Sequence, residues 1–127
     1  MKSLYLYLLL IVGTVIFLCS FTMERGRHIY RNHWTIPAQQ NLKIKNSSKE
    51  DLEVVLYNPS QTSDLKYMNS SNELKVLPKN DSVKTRINFA NEFYVVNTAS
   101  SESVFRLKIL NNSGRIKAFI KKQLPKN

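Results

Sequence analysis

Glycine is scarce: three residues in 127, at Gly13, Gly26 and Gly114, too few for a loop that cradles phosphate. A single cysteine, Cys19, excludes an internal disulfide framework and a cysteine-built zinc site. The only imidazoles, His28 and His33, stand five residues apart. That spacing suits neither a helical metal pair nor an alternating strand pair, so neither a metal nor a cofactor is expected. Nucleophilic triads suffer from the same shortage, because the base would have to come from outside the patterned region and the one thiol lies in an apolar run. Acids are few as well, 9 against 19 lysines and arginines, for a formal charge of +10. The acid–base candidates that remain are Glu50, Asp51, Glu53, Asp64, Glu73, Asp81, Glu92 and Glu102. A two-carboxylate hydrolase needs a fixed separation of its two groups, and nothing in the spacing specifies one. The expectation is a protein that is not an enzyme and has no small-molecule substrate; a small carboxylate-dependent hydrolase is an alternative.

Residues 4–21 carry no charge. As a helix such a run covers about 27 Å, close to the hydrocarbon thickness of a bilayer. A cleaved signal would have a shorter apolar region and a small-x-small site, for which Ser20 and Thr22 are a poor fit. A lipoprotein signal needs a small residue before its cysteine, and Leu18 stands there. Residues 1–23 are therefore read as a transmembrane signal-anchor. Residues 24–40, with Gly26, Pro37 and the Gln39-Gln40 pair but no sustained period, are read as a juxtamembrane linker. The positive-inside rule, applied to Arg25, Arg27 and Arg31 against Lys2, places the remainder in the cytoplasm. A Met-Lys-headed apolar segment before a β-patterned domain reads as export. The expectation follows export: a single-pass protein with its C-terminal domain extracytoplasmic, the secreted form being the alternative.

From Asn41 the pattern has period two. Leu42 and Ile44 alternate with Lys43 and Lys45, a turn follows at Asn46-Ser47-Ser48-Lys49, and Leu52, Val54 and Leu56 alternate in turn, as in a hairpin. Short runs follow at 65–68, 74–76, 83–89 and 93–96, each bounded by Asn, Asp, Ser or Pro. Residues 104–110 form the cleanest strand, with Phe105, Leu107 and Ile109 on one face and Arg106 and Lys108 on the other. Asn111 to Gly114 then serves as a turn, Gly114 being free to take a positive φ, and residues 115–121 return as the partner strand. An alternative for the tail is a basic amphipathic helix with Ile116, Phe119, Ile120 and Leu124 on one side; the preceding turn favours a strand. The fold class expected for residues 41–127 is all-β: a small antiparallel β-sandwich of about seven to eight strands, immunoglobulin-like or transthyretin-like. The aromatics Tyr57, Tyr67, Phe89, Phe93, Tyr94 and Phe105 fall inside strands as core or cross-strand packing, and Trp34 is expected to cover one end of the sandwich.

Positive charge gathers at the two ends of the chain. Arg25, Arg27 and Arg31 follow the apolar run, and Arg115, Lys117, Lys121, Lys122 and Lys126 crowd the tail without one acid, whereas residues 41–110 hold ten basic and eight acidic groups. Those eight cations are the candidate site, facing a protein partner or anionic lipid headgroups at about 1 kcal/mol per cation near the surface. Edge-strand lysines that deter aggregation are the competing explanation. Nucleic acid is not an expected partner, since no basic helix, zinc finger or aromatic RNP-like pattern is present. Four Asn-x-Ser sequons, at Asn46, Asn69, Asn80 and Asn111, are matched by chance in so asparagine-rich a chain. The function expected is a membrane-anchored, non-catalytic interaction module of the cell envelope, with residues 41–45 and 115–121 as exposed edges open to a partner strand.

Overall fold

The computed structural model describes residues 28–69 and 73–124. The expected membrane segment, Arg25, Arg27 and Lys126 lie outside the described residues. Among the described residues no helix is long and apolar enough to cross a membrane. Nine strands follow one another: β1 (His28–Ile36), β2 (Asn41–Asn46), β3 (Asp51–Asn58), β4 (Leu65–Asn69), β5 (Lys75–Leu77), β6 (Asp81–Asn88), β7 (Phe93–Val96), β8 (Ser103–Asn112) and β9 (Ile116–Lys121). They form two antiparallel sheets, β1-β8-β3-β6 and β5-β4-β7-β2-β9, here the first and second sheet. An all-β antiparallel sandwich was the expectation, and the two-sheet architecture agrees with it.

The period-two residues close the core. Leu42 and Ile44, Leu52, Val54 and Leu56, and Phe105, Leu107 and Ile109 are all buried. They pack with Ile36, Leu65, Leu77, Ile87, Phe89, Phe93 and Val95 into one cluster. Phe89 meets Phe93 edge-on at 5.8 Å, and Trp34 stacks on Phe105 at 6.3 Å, ring geometries that add to the area they bury. The tail is a strand, as alternation indicated, and not a helix.

Three expectations are corrected. The stretch read as linker contains β1, which pairs with β8 from His28 to Ile36 and contributes Tyr30, Trp34 and Ile36 to the core side. Its polar alternate residues hid the pattern, because an edge strand has only one face to bury. The two hairpins are not hairpins: β2 and β3 lie in different sheets, as do β8 and β9. Every connection crosses between the sheets except the one joining β4 to β5. Period two cannot tell these cases apart, since both strands of a crossing corner also turn their apolar side chains toward the core. The third correction follows, because residues 41–45 are interior, flanked by β7 and β9. Residues 116–121 do form an edge, along with β1, β5 and β6.

Asparagine makes the corners. The Asn46, Asn58, Asn88 and Asn112 side chains, each at a strand's last residue, and Asn97, just after β7, all accept a hydrogen bond from the backbone N–H two residues on, at 3.0 to 3.2 Å. This turn is formed by the asparagine side chain itself, which offers the chain an alternative to continuing the ladder. Two of these corners interlock. Asn46 Nδ2 donates to Asn112 Oδ1 at 2.9 Å, Arg115 N donates to Ser47 Oγ at 2.8 Å, and Ser47 N donates to Arg115 O at 3.0 Å. Asn46, buried in this network, cannot present a glycan in the fold.

Candidate functional site

The fold sorts the charges. Glu50, Asp51, Asp64, Glu73, Asp81, Glu92 and Glu102 sit at the first residue of a strand or in the turn before it, leaving Glu53 as the carboxylate inside a strand among the described residues. Most cations among the described residues occupy strands and face outward, with Lys49, Lys79, Arg115 and Lys122 in the connections. A stretch that sums to near neutrality along the chain therefore folds into two basic faces with acidic rims, which a count over residues 41–110 cannot reveal.

On the outer face of the first sheet, register sets two rows across β1, β8 and β3: His33–Arg106–Tyr57 and Arg31–Lys108–Val55. Together they line an open groove of about 590 Å³ in which no carboxylate takes part. The Arg106 guanidinium lies 5.8 Å from the centre of the Tyr57 ring. Arg31 directly opposes Lys108, and His33 opposes Arg106, across neighbouring strands about 4.8 Å apart. Like charges placed opposite each other weaken a sheet by up to about 1 kcal/mol, so the Arg31–Lys108 pair detracts from stability unless an anion occupies the groove. Farther along the same face, Arg86 pairs with Glu53 at 3.3 Å, but both groups are exposed and the pair contributes little.

The outer face of the second sheet is built differently. Lys43 donates to Glu92 at 3.2 Å and lies 5.6 Å over Tyr94. Burial would lower the Lys43 pKa, but the hydrogen bonds and charges of Glu92 and Tyr94 outweigh it and hold the ammonium above the ordinary 10.5. A raised lysine pKa stabilises the fold fully below 10.5 and ceases to do so only as pH climbs through the higher folded value. Lys45 and Lys121 flank the Phe119 ring at 5.7 and 6.0 Å. Met68, Tyr94 and Val96 are buried although alternation turns them away from the core, beside lysine stems that cover apolar surface: Lys66 faces Val96 and Lys43 faces Tyr94.

Five large apolar side chains are exposed among the described residues: Ile29, Leu74, Val76, Phe119 and Ile120. Each lies on or next to an edge strand, Ile29 on β1, Leu74 and Val76 at β5, and Phe119 and Ile120 on β9. The edge strand β6 has none.

The structure divides the basic residues expected as a site. Arg31 enters the groove, Lys117 and Lys121 face outward from β9, and Arg115 and Lys122 border that strand. The first sheet thus separates Arg31 from the tail cations, with which it had been grouped. Arg106, Lys108, His33 and Tyr57 were not anticipated as a site. Their signal was readable, since Arg106 and Lys108 alternate with three buried apolar residues, but only register brings Arg31 and His33 beside them. Both histidines lie on β1 instead of in a linker, and among the described residues no three His, Cys, Asp or Glu side chains gather where they could hold a metal.

No protein-family model and no curated protein matches the chain. Among solved structures, it is similar to an uncharacterised conserved protein with a double-stranded β-helix domain from Klebsiella pneumoniae subsp. pneumoniae MGH 78578. The TM-score is 0.52 at 9% identity, over 75% of this chain and 76% of that one. The likeness concerns the fold alone. Together with the alternation of consecutive strands between sheets, it brings the topology closer to a double-stranded β-helix than to the immunoglobulin-like or transthyretin-like order expected from strand count.

Proposed function

We propose that the protein is a membrane-anchored, non-catalytic interaction module of the cell envelope that receives a partner protein along β9. The observation that carries this reading is the confinement of exposed large apolar side chains to edge strands, with Phe119 and Ile120 neighbouring each other on β9. Because β9 pairs only with β2 among the described residues, its other side offers main-chain groups to an added strand. Phe119 and Ile120 then give the incoming strand apolar contacts on its two faces, and Lys117 and Lys121 deter pairing with a second basic edge.

Deleting residues 115–127 would test this badly, because it removes an entire strand of the second sheet. A photo-crosslinking residue placed at Phe119 is cleaner, with the same residue at Lys84 on β6 as the control. Irradiated in cells, position 119 is expected to give a discrete adduct that position 84 does not. Adducts equal at both positions, or absent from 119, would overturn the assignment of the edge. Alanine at Asp51 or Glu73 is expected to leave biological activity intact; its abolition with an unchanged circular dichroism spectrum would favour the carboxylate-dependent hydrolase.

A further inference from the structure

We infer that the groove on the first sheet is a docking surface for the phosphate headgroups of anionic phospholipids in the bilayer that holds the chain's apolar segment. The inference rests on the anchor reading and adds to it a face, a ligand chemistry and an orientation. Charge complementarity is the first support. Arg31, Arg106 and Lys108 converge on one groove without a carboxylate among its lining residues, and Arg31 directly opposes Lys108 across the β1–β8 register. An anion between the rows relieves that repulsion. Arginine's planar fork suits phosphate oxygens, and Lys108 adds a point charge beside it.

Chain length is the second support. Only residues 22–27 separate the end of the apolar run from His28, the first residue of β1. Six residues reach at most about 20 Å, so the start of β1 stays within that distance of the end of the apolar run. Arg31 is three positions into that strand, about 10 Å farther. The groove is therefore lined by the strand closest to the bilayer in sequence. Its floor of Val55 and Tyr57 suits the interface, where an amphipathic ring sits at headgroup level. Docking by this face turns the second sheet, and β9 with it, away from the membrane.

The test is lysine footprinting of the full chain in lipid nanodiscs, using an acetylating reagent and mass spectrometry. In discs containing phosphatidylglycerol, Lys108 is expected to label about five-fold more slowly than in purely zwitterionic discs, the difference disappearing at high salt. Lys45 and Lys117, on the opposite sheet, are expected to label equally in both. The double substitution R31Q/R106Q is expected to abolish the protection of Lys108. Equal labelling of Lys108 in the two discs, or protection spread evenly over all three lysines, would overturn the docking face. Protection of Lys108 in zwitterionic discs on adding inorganic phosphate would make the ligand a soluble phosphate, and the lipid assignment would fail. Release of the chain from zwitterionic discs by alkaline carbonate would instead overturn the anchor, a result separate from the labelling of retained chain.

Discussion

Gly114→Ala is expected to destabilise the fold by about 3 kcal/mol, the sum of overpacking and a disturbed buried hydrogen-bond network. Gly114 lies between β8 and β9 with no positive φ, so its backbone conformation does not demand glycine. Space does. A β-carbon there would overlap Asn46 Oδ1 and stand 2.5 Å from Ser48 N and 2.9 Å from Ser47 Oγ. Ser48 N is backbone and cannot rotate away, and Asn46 Oδ1 is held by that same N–H at 3.0 Å. Relief would require parting the two interlocked corners, and with them the hydrogen bonds joining Asn46 to Asn112 and Ser47 to Arg115. Thermal unfolding of the full chain would read the change as a fall of more than about 10 °C in Tm. Ser113→Ala, which removes only the 2.9 Å bond from Ser113 to Ser48, is the control and is expected to cost about 1 kcal/mol or less. A Gly114→Ala protein as stable as its parent would show that the corners do not approach so closely.

Asn97→Ala is expected to cost about as much, roughly 3 kcal/mol, by a different route. Asn97 is 1% exposed, and its amide donates to the carbonyls of Ile36 at 3.1 Å, Pro37 at 3.2 Å and Ser101 at 2.9 Å. Its carbonyl accepts from Ala99 N at 3.0 Å. One side chain therefore ties the exit of β1 to the loop between β7 and β8, and its removal strands the buried Ile36 carbonyl and frees the partly buried ones of Pro37 and Ser101. Asn97→Asp separates packing from hydrogen bonding. It keeps the shape and the acceptor but turns the donor into a second acceptor facing those carbonyls, so it is expected to be at least as damaging as alanine. An Asn97→Asp protein as stable as its parent would mean that the three carbonyls find other donors.

The strands were legible in the sequence wherever burial on one face imposed a strict alternation, as at Leu52, Val54 and Leu56 or Phe105, Leu107 and Ile109. Their partners were not. Alternation records which side chains are buried, and a corner between sheets satisfies that record as well as a hairpin does, so β2–β3 and β8–β9 were assigned to the wrong connection. β1 escaped notice because Arg31, Asn32 and His33 come consecutively and Tyr30 and Trp34 are only half-buried. The asparagines at strand ends were recognised as stops, but their number looked like composition until their side chains proved to be closing turns. The groove was the least visible feature. Its two halves are some 75 residues apart in sequence, and only the pairing of Arg31 with Lys108 and His33 with Arg106 joins them.

Corners closed by asparagine amides also set how this protein ages. Hydrolysis of an amide to a carboxylate exchanges an NH2 donor for an anionic oxygen. At Asn112 that oxygen would face the Gly114 carbonyl now bonded at 2.9 Å, and at Asn46 it would face Asn112 Oδ1. Such damage, at any of these asparagines, would strike a joint between the two sheets and leave the apolar interior intact.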